Sequence, residues 1–213
     1  MAAPMPVLAT ARRRSEPPAP ASVRHQIDAE TGMKMIKIGP GDYSVTAAPD
    51  EMLVTILGSC VAVCMRDPLL GVGGMNHFLL PESESGHWGG VSATTRYGNH
   101  AMETLINDII AMGGARSRFE VKIFGGGHVI DSSMAIGQKN AEFAEEYLAN
   151  EGMAVVAKHV GGFHPRRIHY FPQTGKVQMQ LLKRGTDETV FRQERDYQRK
   201  IAVRPVEGGV DLF

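Results

Sequence analysis

Met52-Leu53-Val54-Thr55-Ile56-Leu57, then Gly58-Ser59, then Cys60-Val61-Ala62-Val63-Cys64-Met65-Arg66, then Asp67-Pro68, is the stretch on which the fold turns. Its two apolar runs are rich in β-branched residues and punctuated by turn-forming pairs, so they read as strands joined by tight turns, adjacent in one sheet. A third run, Val72 to Leu80, extends the same pattern, and the three together are the most apolar strands of the chain. Upstream, Met35-Ile36-Lys37-Ile38 and Tyr43-Ser44-Val45-Thr46 alternate as short strands around Gly39-Pro40-Gly41-Asp42. Downstream, Met102, Leu105, Ile106, Ile109 and Ile110 recur at helical spacing and predict a helix over Asn99 to Met112, closed by Gly113-Gly114. A strand over Phe119 to Phe124 leads into Gly125-Gly126-Gly127. A second helix follows from Gly137 to Asn150, with Ala141, Ala144, Tyr147 and Leu148 on one face and Gly152 as terminator. Val155 to Val160, Arg167 to Phe171 and Lys176 to Lys183 complete the strands, the last two as a hairpin around Pro172-Gln173-Thr174-Gly175.

Many strands and two main helices predict an α+β architecture, an α/β sandwich of mixed sheets in a single domain over residues 33–184. The 213 residues, 43% hydrophobic, suffice for one sizeable core. Residues 1–32 are rich in proline, alanine and arginine and read as a disordered tail. Arg12-Arg13-Arg14 gives a superficial likeness to a transit peptide, which prolines at 4, 6, 17, 18 and 20 oppose. Residues 185–213 read as a mobile charged extension ending in Val210-Asp211-Leu212-Phe213, a candidate docking peptide.

Lysine plus arginine equals aspartate plus glutamate at 23 each, so no global field draws the protein to nucleic acid or to an anionic membrane. A partner must be recognised locally. The two cysteines, Cys60 and Cys64, stand on one strand about 13 Å apart, too far for a disulfide, which needs less than about 7 Å. That pattern favours a reducing compartment, and no apolar run reaches the roughly 20 residues of a membrane span. The expected location is the cytoplasm.

Four features compete as chemistry. Gly58-Ser59-Cys60 opens a strand, and His77 follows in Met75-Asn76-His77-Phe78. A cysteine attacks an amide as thiolate, a neighbouring histidine lowers its pKa, and backbone N–H groups at a glycine turn form an oxyanion hole. On spacing alone, Cys60 reads as readily as a small buried hydrophobe and His77 as a core histidine. Cys64, between apolar neighbours, belongs to the core. No metal-ligand spacing such as Cys-x-x-Cys or His-Glu-x-x-His appears, so no metal is assigned. Gly125-Gly126-Gly127 fits neither nucleotide fingerprint and reads as a turn. His164-Pro165-Arg166-Arg167-Ile168-His169 reads as an ordinary solvated strand start, with acidic-partner docking as the alternative.

Leu57-Gly58-Ser59-Cys60-Val61-Ala62-Val63-Cys64-Met65-Arg66-Asp67, with Gly74-Met75-Asn76-His77-Phe78-Leu79-Leu80-Pro81, closely resembles the chemoreceptor glutamine deamidases of bacterial chemotaxis, the CheD family. The resemblance continues through Lys122-Ile123-Phe124-Gly125-Gly126, Ile136-Gly137-Gln138-Lys139-Asn140-Ala141, Gly161-Gly162 and Thr174-Gly175-Lys176, covering residues 35–184. It implies a cysteine, histidine and threonine triad that converts receptor glutamines to glutamates without a cofactor. Cys60 and His77 match the motif directly, and Thr55 is the candidate third member, with Gly58 and Ser59 as backbone support. Its role there competes with that of an ordinary strand residue. The resemblance further implies methyl-accepting chemotaxis receptors as protein substrate, a secondary methylesterase activity, and a response-regulator phosphatase as partner. A noncatalytic adaptor using the same groove is the rival class.

Overall fold

The computed structural model describes residues 25–81, 87–88, 91–129, 134–183, 192, 194–197 and 199. In chain order the elements are β1 (His25–Ile27), β2 (Lys34–Lys37), β3 (Tyr43–Thr46), β4 (Glu51–Leu57), β5 (Val61–Asp67), β6 (Val72–Asn76), β7 (His87–Trp88), β8 (Val91–Ser92) and α1 (Ala93–Ala111). Then follow β9 (Glu120–Gly125), α2 (Met134–Asn150), β10 (Val155–Val160), β11 (Arg166–Phe171) and β12 (Lys176–Leu181).

The expectation that β4 and β5 lie side by side is overturned. β4 pairs with β2 and β11 in a sheet ordered β1-β2-β4-β11-β12, whereas β5 pairs with β6 and β9 in a second sheet ordered β10-β9-β5-β6-β3. Gly58-Ser59 is therefore a crossing between layers and not a hairpin. The cause is the apolar content itself: both strands bury residues on both faces, which demands a covering layer above and below each. β11 and β12 do pair as the predicted antiparallel hairpin.

Side chains of alternate parity fill the two interfaces that result. Between the sheets lie Leu53, Leu57, Ile168 and Tyr170 from the first and Cys60, Ala62, Cys64, Met75 and Phe124 from the second. On the far face of the second sheet, Val61, Val63, Met65, Val121 and Ile123 meet Met102, Leu105, Ile106 and Ile109 of α1 and Ala141, Ala144 and Leu148 of α2. The result is an α+β sandwich of two mixed sheets with helices on one of them. At about 0.8 kcal/mol per buried CH₂, these two interfaces are the main source of stability.

Helix α1 starts six residues earlier than the periodicity indicates and runs through Gly98. A Cβ there would stand 2.4 Å from the Phe143 ring of α2, so the glycine serves helix packing. Asn76 ties the layers together: its Oδ1 accepts from Val63 N at 2.9 Å and its Nδ2 donates to Ala101 O at 3.1 Å. At the other end of β5, buried Asp67 accepts from Ala115 N, Leu69 N and the Arg118 guanidinium, which together hold its carboxyl well below the usual range.

Most of the expected tail over residues 1–32 lies outside the described residues, but His25–Ile27 within it forms β1, antiparallel to β2. Among the described residues, no helix is long and apolar enough to cross a membrane.

Candidate functional site

The crossing from β4 to β5 brings three side chains from different strands to one buried point. Thr55 shares the inward face of β4 with Leu53 and Leu57, as the two-residue strand period requires. Cys60 ends the crossing. His77 follows β6, and a bridge pins it beside the cysteine: Val61 N donates to Phe78 O at 3.0 Å, and Phe78 N donates to Val61 O at 2.9 Å. The predicted turn at 39–42 clasps the histidine backbone, with His77 N donating to Asp42 O at 3.0 Å and Gly41 N to His77 O at 2.7 Å.

Donor counting fixes the histidine tautomer. The Thr55 hydroxyl donates its single proton to Ile38 O at 2.8 Å, so its oxygen is left to accept from His77 Nδ1, also at 2.8 Å. Ile38 O, at 3.4 Å from Nδ1, asks for the same proton there. Nε2 then carries the lone pair, and it is buried without a partner among the described residues. A neutral imidazole with a free Nε2 has a lone pair that can accept a proton.

The backbone of the crossing supplies N–H donors. Gly126 N donates to Cys60 O at 2.7 Å and Gly127 N to Gly58 O at 2.8 Å, while Asn140 Nδ2 from α2 donates to Ser59 O at 2.9 Å. With the three carbonyls held from behind, the N–H groups of residues 58–60 turn to the other side. The triple glycine and the Ile136–Ala141 segment are thus the scaffold of the crossing, and Gly125 and Gly126 take the positive φ expected of a glycine turn.

Those N–H groups converge on a residue that sequence reasoning missed. Glu194, in the charged extension, is buried in the site. Its Oε1 accepts from Gly58 N at 2.9 Å and Cys60 N at 3.4 Å, and its Oε2 accepts from Ser59 N at 3.2 Å and Ser59 Oγ at 2.9 Å. Cys60 Sγ, a His77 ring nitrogen and a Glu194 carboxylate oxygen all lie within 4.8 Å of one another. That donor set has the spread of a metal site, but both carboxylate oxygens already accept from N–H or O–H groups, which makes Glu194 a poor ligand as it stands.

Electrostatics follows from burial. The Cys60 thiol is pushed well up, first by its complete burial and then by the Glu194 carboxylate, so the expected lowering by His77 is not what this arrangement produces. Burial also lowers His77 to about 4, against a weaker upward pull from Glu194. Since the folded state holds this imidazole neutral while the unfolded chain protonates it near 6.5, the unfolded state binds more protons between about pH 6.5 and 4. Stability is therefore expected to fall as pH drops through that window. Denaturant titrations should show a smaller loss there for His77→Asn than for the unsubstituted chain.

Arg166 contradicts the solvated reading of its stretch. It is fully buried, with Nη1 donating to His159 O at 2.6 Å and Nη2 to Gly161 O, and burial lowers its guanidinium to about 10. It braces the loop at 161–164, whose Gly162 O accepts from His128 N at 2.7 Å. Cys64 packs in the inter-sheet core as expected. Val210 to Phe213 lies outside the described residues. A thiol, an imidazole with a free lone pair and converging N–H donors are together the parts that acyl transfer uses.

The family described as CheD chemotactic sensory transduction matches residues 79–181, an interval that begins just past His77. Similarity to curated proteins extends over the whole site. The chain is 55% identical over 194 residues, 91% of each chain, to a probable chemoreceptor glutamine deamidase CheD of Rhodopseudomonas palustris (strain BisA53). It is 48% identical over 190 residues to the protein of that description from Halorhodospira halophila (strain DSM 244 / SL1), covering 87% of this chain and 88% of that one. With the one from Saccharophagus degradans (strain 2-40 / ATCC 43961 / DSM 17024) it shares 46% identity over 211 residues, 96% of each chain. Among solved structures, the Bacillus licheniformis hypothetical protein YfiH overlaps 55% of this chain and 49% of its own at a TM-score of 0.37 and 16% identity.

Proposed function

The chain belongs to the CheD family, and on that premise we propose that it deamidates glutamine side chains of chemoreceptors, with Cys60 as nucleophile and His77 as base. The observation that carries the residue roles is the buried Thr55–His77 hydrogen bond beside Cys60, which leaves Nε2 as the basic nitrogen. In the reaction, His77 takes the Cys60 proton and the thiolate attacks the glutamine carboxamide carbon. N–H groups of residues 58–60 stabilise the oxygen that becomes negative. The C–N bond breaks as His77 returns the proton to the departing ammonia. Water, deprotonated by His77, then hydrolyses the thioester to glutamate and frees the thiol. The scheme consumes one water, releases one ammonia and calls for no cofactor. A glutamate methyl ester fits the same scheme as a secondary substrate.

The new carboxylate changes the charge on a receptor helix and so its packing against its neighbours. Within this reading residues 33–184 form the deamidase unit, acting in the cytoplasm at receptor arrays, and a response-regulator phosphatase is a further partner for the same face.

Peptide mass spectrometry of a receptor cytoplasmic fragment incubated with the full chain tests the reading. Conversion of glutamine to glutamate is expected; binding without conversion would favour the adaptor alternative. Thr55→Val keeps the shape of the side chain but removes the acceptor for Nδ1–H. It should lower kcat by roughly 10–100-fold with KM little changed, and Thr55→Ser should restore most of the rate.

A further inference from the structure

Glu194 sits where the reaction would place its product, and this inference rests on the deamidase reading. The residue comes from a helical segment, residues 194–197, in a part of the chain where a charged side chain ordinarily faces water. Instead its carboxylate is buried against the backbone N–H groups of Gly58, Ser59 and Cys60. Its oxygens accept from the N–H groups of Gly58, Ser59 and Cys60 and from the Ser59 hydroxyl. Burying a carboxylate is costly unless the site is built to receive one. This site is so built: Gly58 lacks the Cβ that would stand 2.9 Å from both carboxylate oxygens.

One turn further along the segment, Tyr197 lies against Gly41, where a Cβ would meet its ring, and its hydroxyl hydrogen-bonds that of Tyr97 in α1. Tyr97 and Tyr197 line a cavity of about 220 Å³ that reaches His77 and includes Asp42, His100 and Thr104. The segment is therefore anchored at two points, a carboxylate in the donor loop and an aromatic ring one helical turn away.

A glutamate on a helix is what deamidation of a helical glutamine leaves behind. We propose that the C-terminal segment carrying Glu194 is a tethered product mimic that occupies the deamidase site, and that receptor helices gain access by displacing it. The negative charge of Glu194 also opposes the thiolate, adding to burial in holding Cys60 as the resting thiol. The tether gives the mimic an effective concentration that a free glutamate lacks. The site, on this view, takes its glutamine from an α-helix with an aromatic or similarly flat side chain one turn on.

The test turns the mimic into a substrate. In full-length Glu194→Gln, Cys60 should attack the carboxamide introduced by the substitution, release ammonia and, after hydrolysis by water, leave glutamate. Mass spectrometry of the peptide containing residue 194 should find that conversion in Glu194→Gln and not in the Glu194→Gln, Cys60→Ala double variant. Glu194→Ala should raise kcat/KM on a receptor fragment by roughly tenfold or more, and speed alkylation of Cys60 in parallel, as the competent fraction rises. An introduced carboxamide that stays intact while the same Glu194→Gln protein deamidates the receptor fragment would overturn the mimic alone. So would loss of receptor activity in Glu194→Ala, which would place Glu194 in the machinery. If neither the introduced carboxamide nor receptor glutamine is converted by chains with Cys60 in place, the deamidase reading fails and this inference with it.

Discussion

Cys60→Ala is expected to lower receptor deamidation by about 10⁴-fold or more in kcat while leaving the fold intact. The size of the effect follows from what remains. The donors at residues 58–60 still polarise a carbonyl, but His77 has no nucleophile to deprotonate except water, and attack by water on an unactivated amide is slow. The structural cost is small by comparison: removing one sulfur from the inter-sheet core should cost on the order of 1 kcal/mol, visible as a modest shift in thermal midpoint. His77→Ala should fall to a similar floor, and the double variant should be no worse than either, as the proposed pairing of nucleophile and base requires. Receptor-fragment conversion followed by peptide mass spectrometry reads all three.

Among the described glycines, Gly125→Ala should be the most damaging single substitution for stability. Gly125 ends β9 at φ 118, and an added Cβ would stand 2.1 Å from Cys60 O and 2.9 Å from Val61 Cα. Both are backbone atoms of the crossing and of β5, so nothing yields without opening the second sheet. A loss of about 3 kcal/mol or more is expected, with deamidation lost as the N–H groups of residues 58–60 shift. Gly152 is the control. It also has positive φ, at the end of α2, but an added Cβ there meets nothing within 4 Å. Gly152→Ala should therefore cost about 1 kcal/mol, the strain of the backbone conformation alone. Urea denaturation separates the two outcomes.

Strands near Met52 to Leu57, Cys60 to Arg66 and Val72 to Leu80 are readable because these are apolar runs cut by turn residues, although β6 ends at Asn76 while the apolar run continues to Leu80. Their assignment to two sheets is not readable, since Gly58-Ser59 serves a hairpin or a crossing equally well. Only the need to cover β4 and β5 on both faces separates the two choices, and that is a property of the assembled layers. Thr55 entered as a candidate through resemblance; the two-residue period then puts it on the inner face with Leu53 and Leu57, within reach of His77.

Arg166 and Glu194 were missed for one reason. A charged residue in a polar stretch reads as solvated, and nothing local signals that carbonyls at 159 and 161, or N–H groups at 58–60, wait for it from elsewhere in the chain. Gly126-Gly127 carried a signal of backbone use, but its partners, the carbonyls of Cys60 and Gly58, lie far off in sequence.

Rapid acid quench during turnover of a receptor-derived glutamine peptide, followed by mass mapping of the enzyme, tests the proposed chemistry most directly. An acid-stable adduct is expected on the Cys60 peptide, with the mass of the substrate less ammonia, absent from Cys60→Ala. Undiminished deamidation by Cys60→Ala, or an adduct on another residue, would contradict that chemistry.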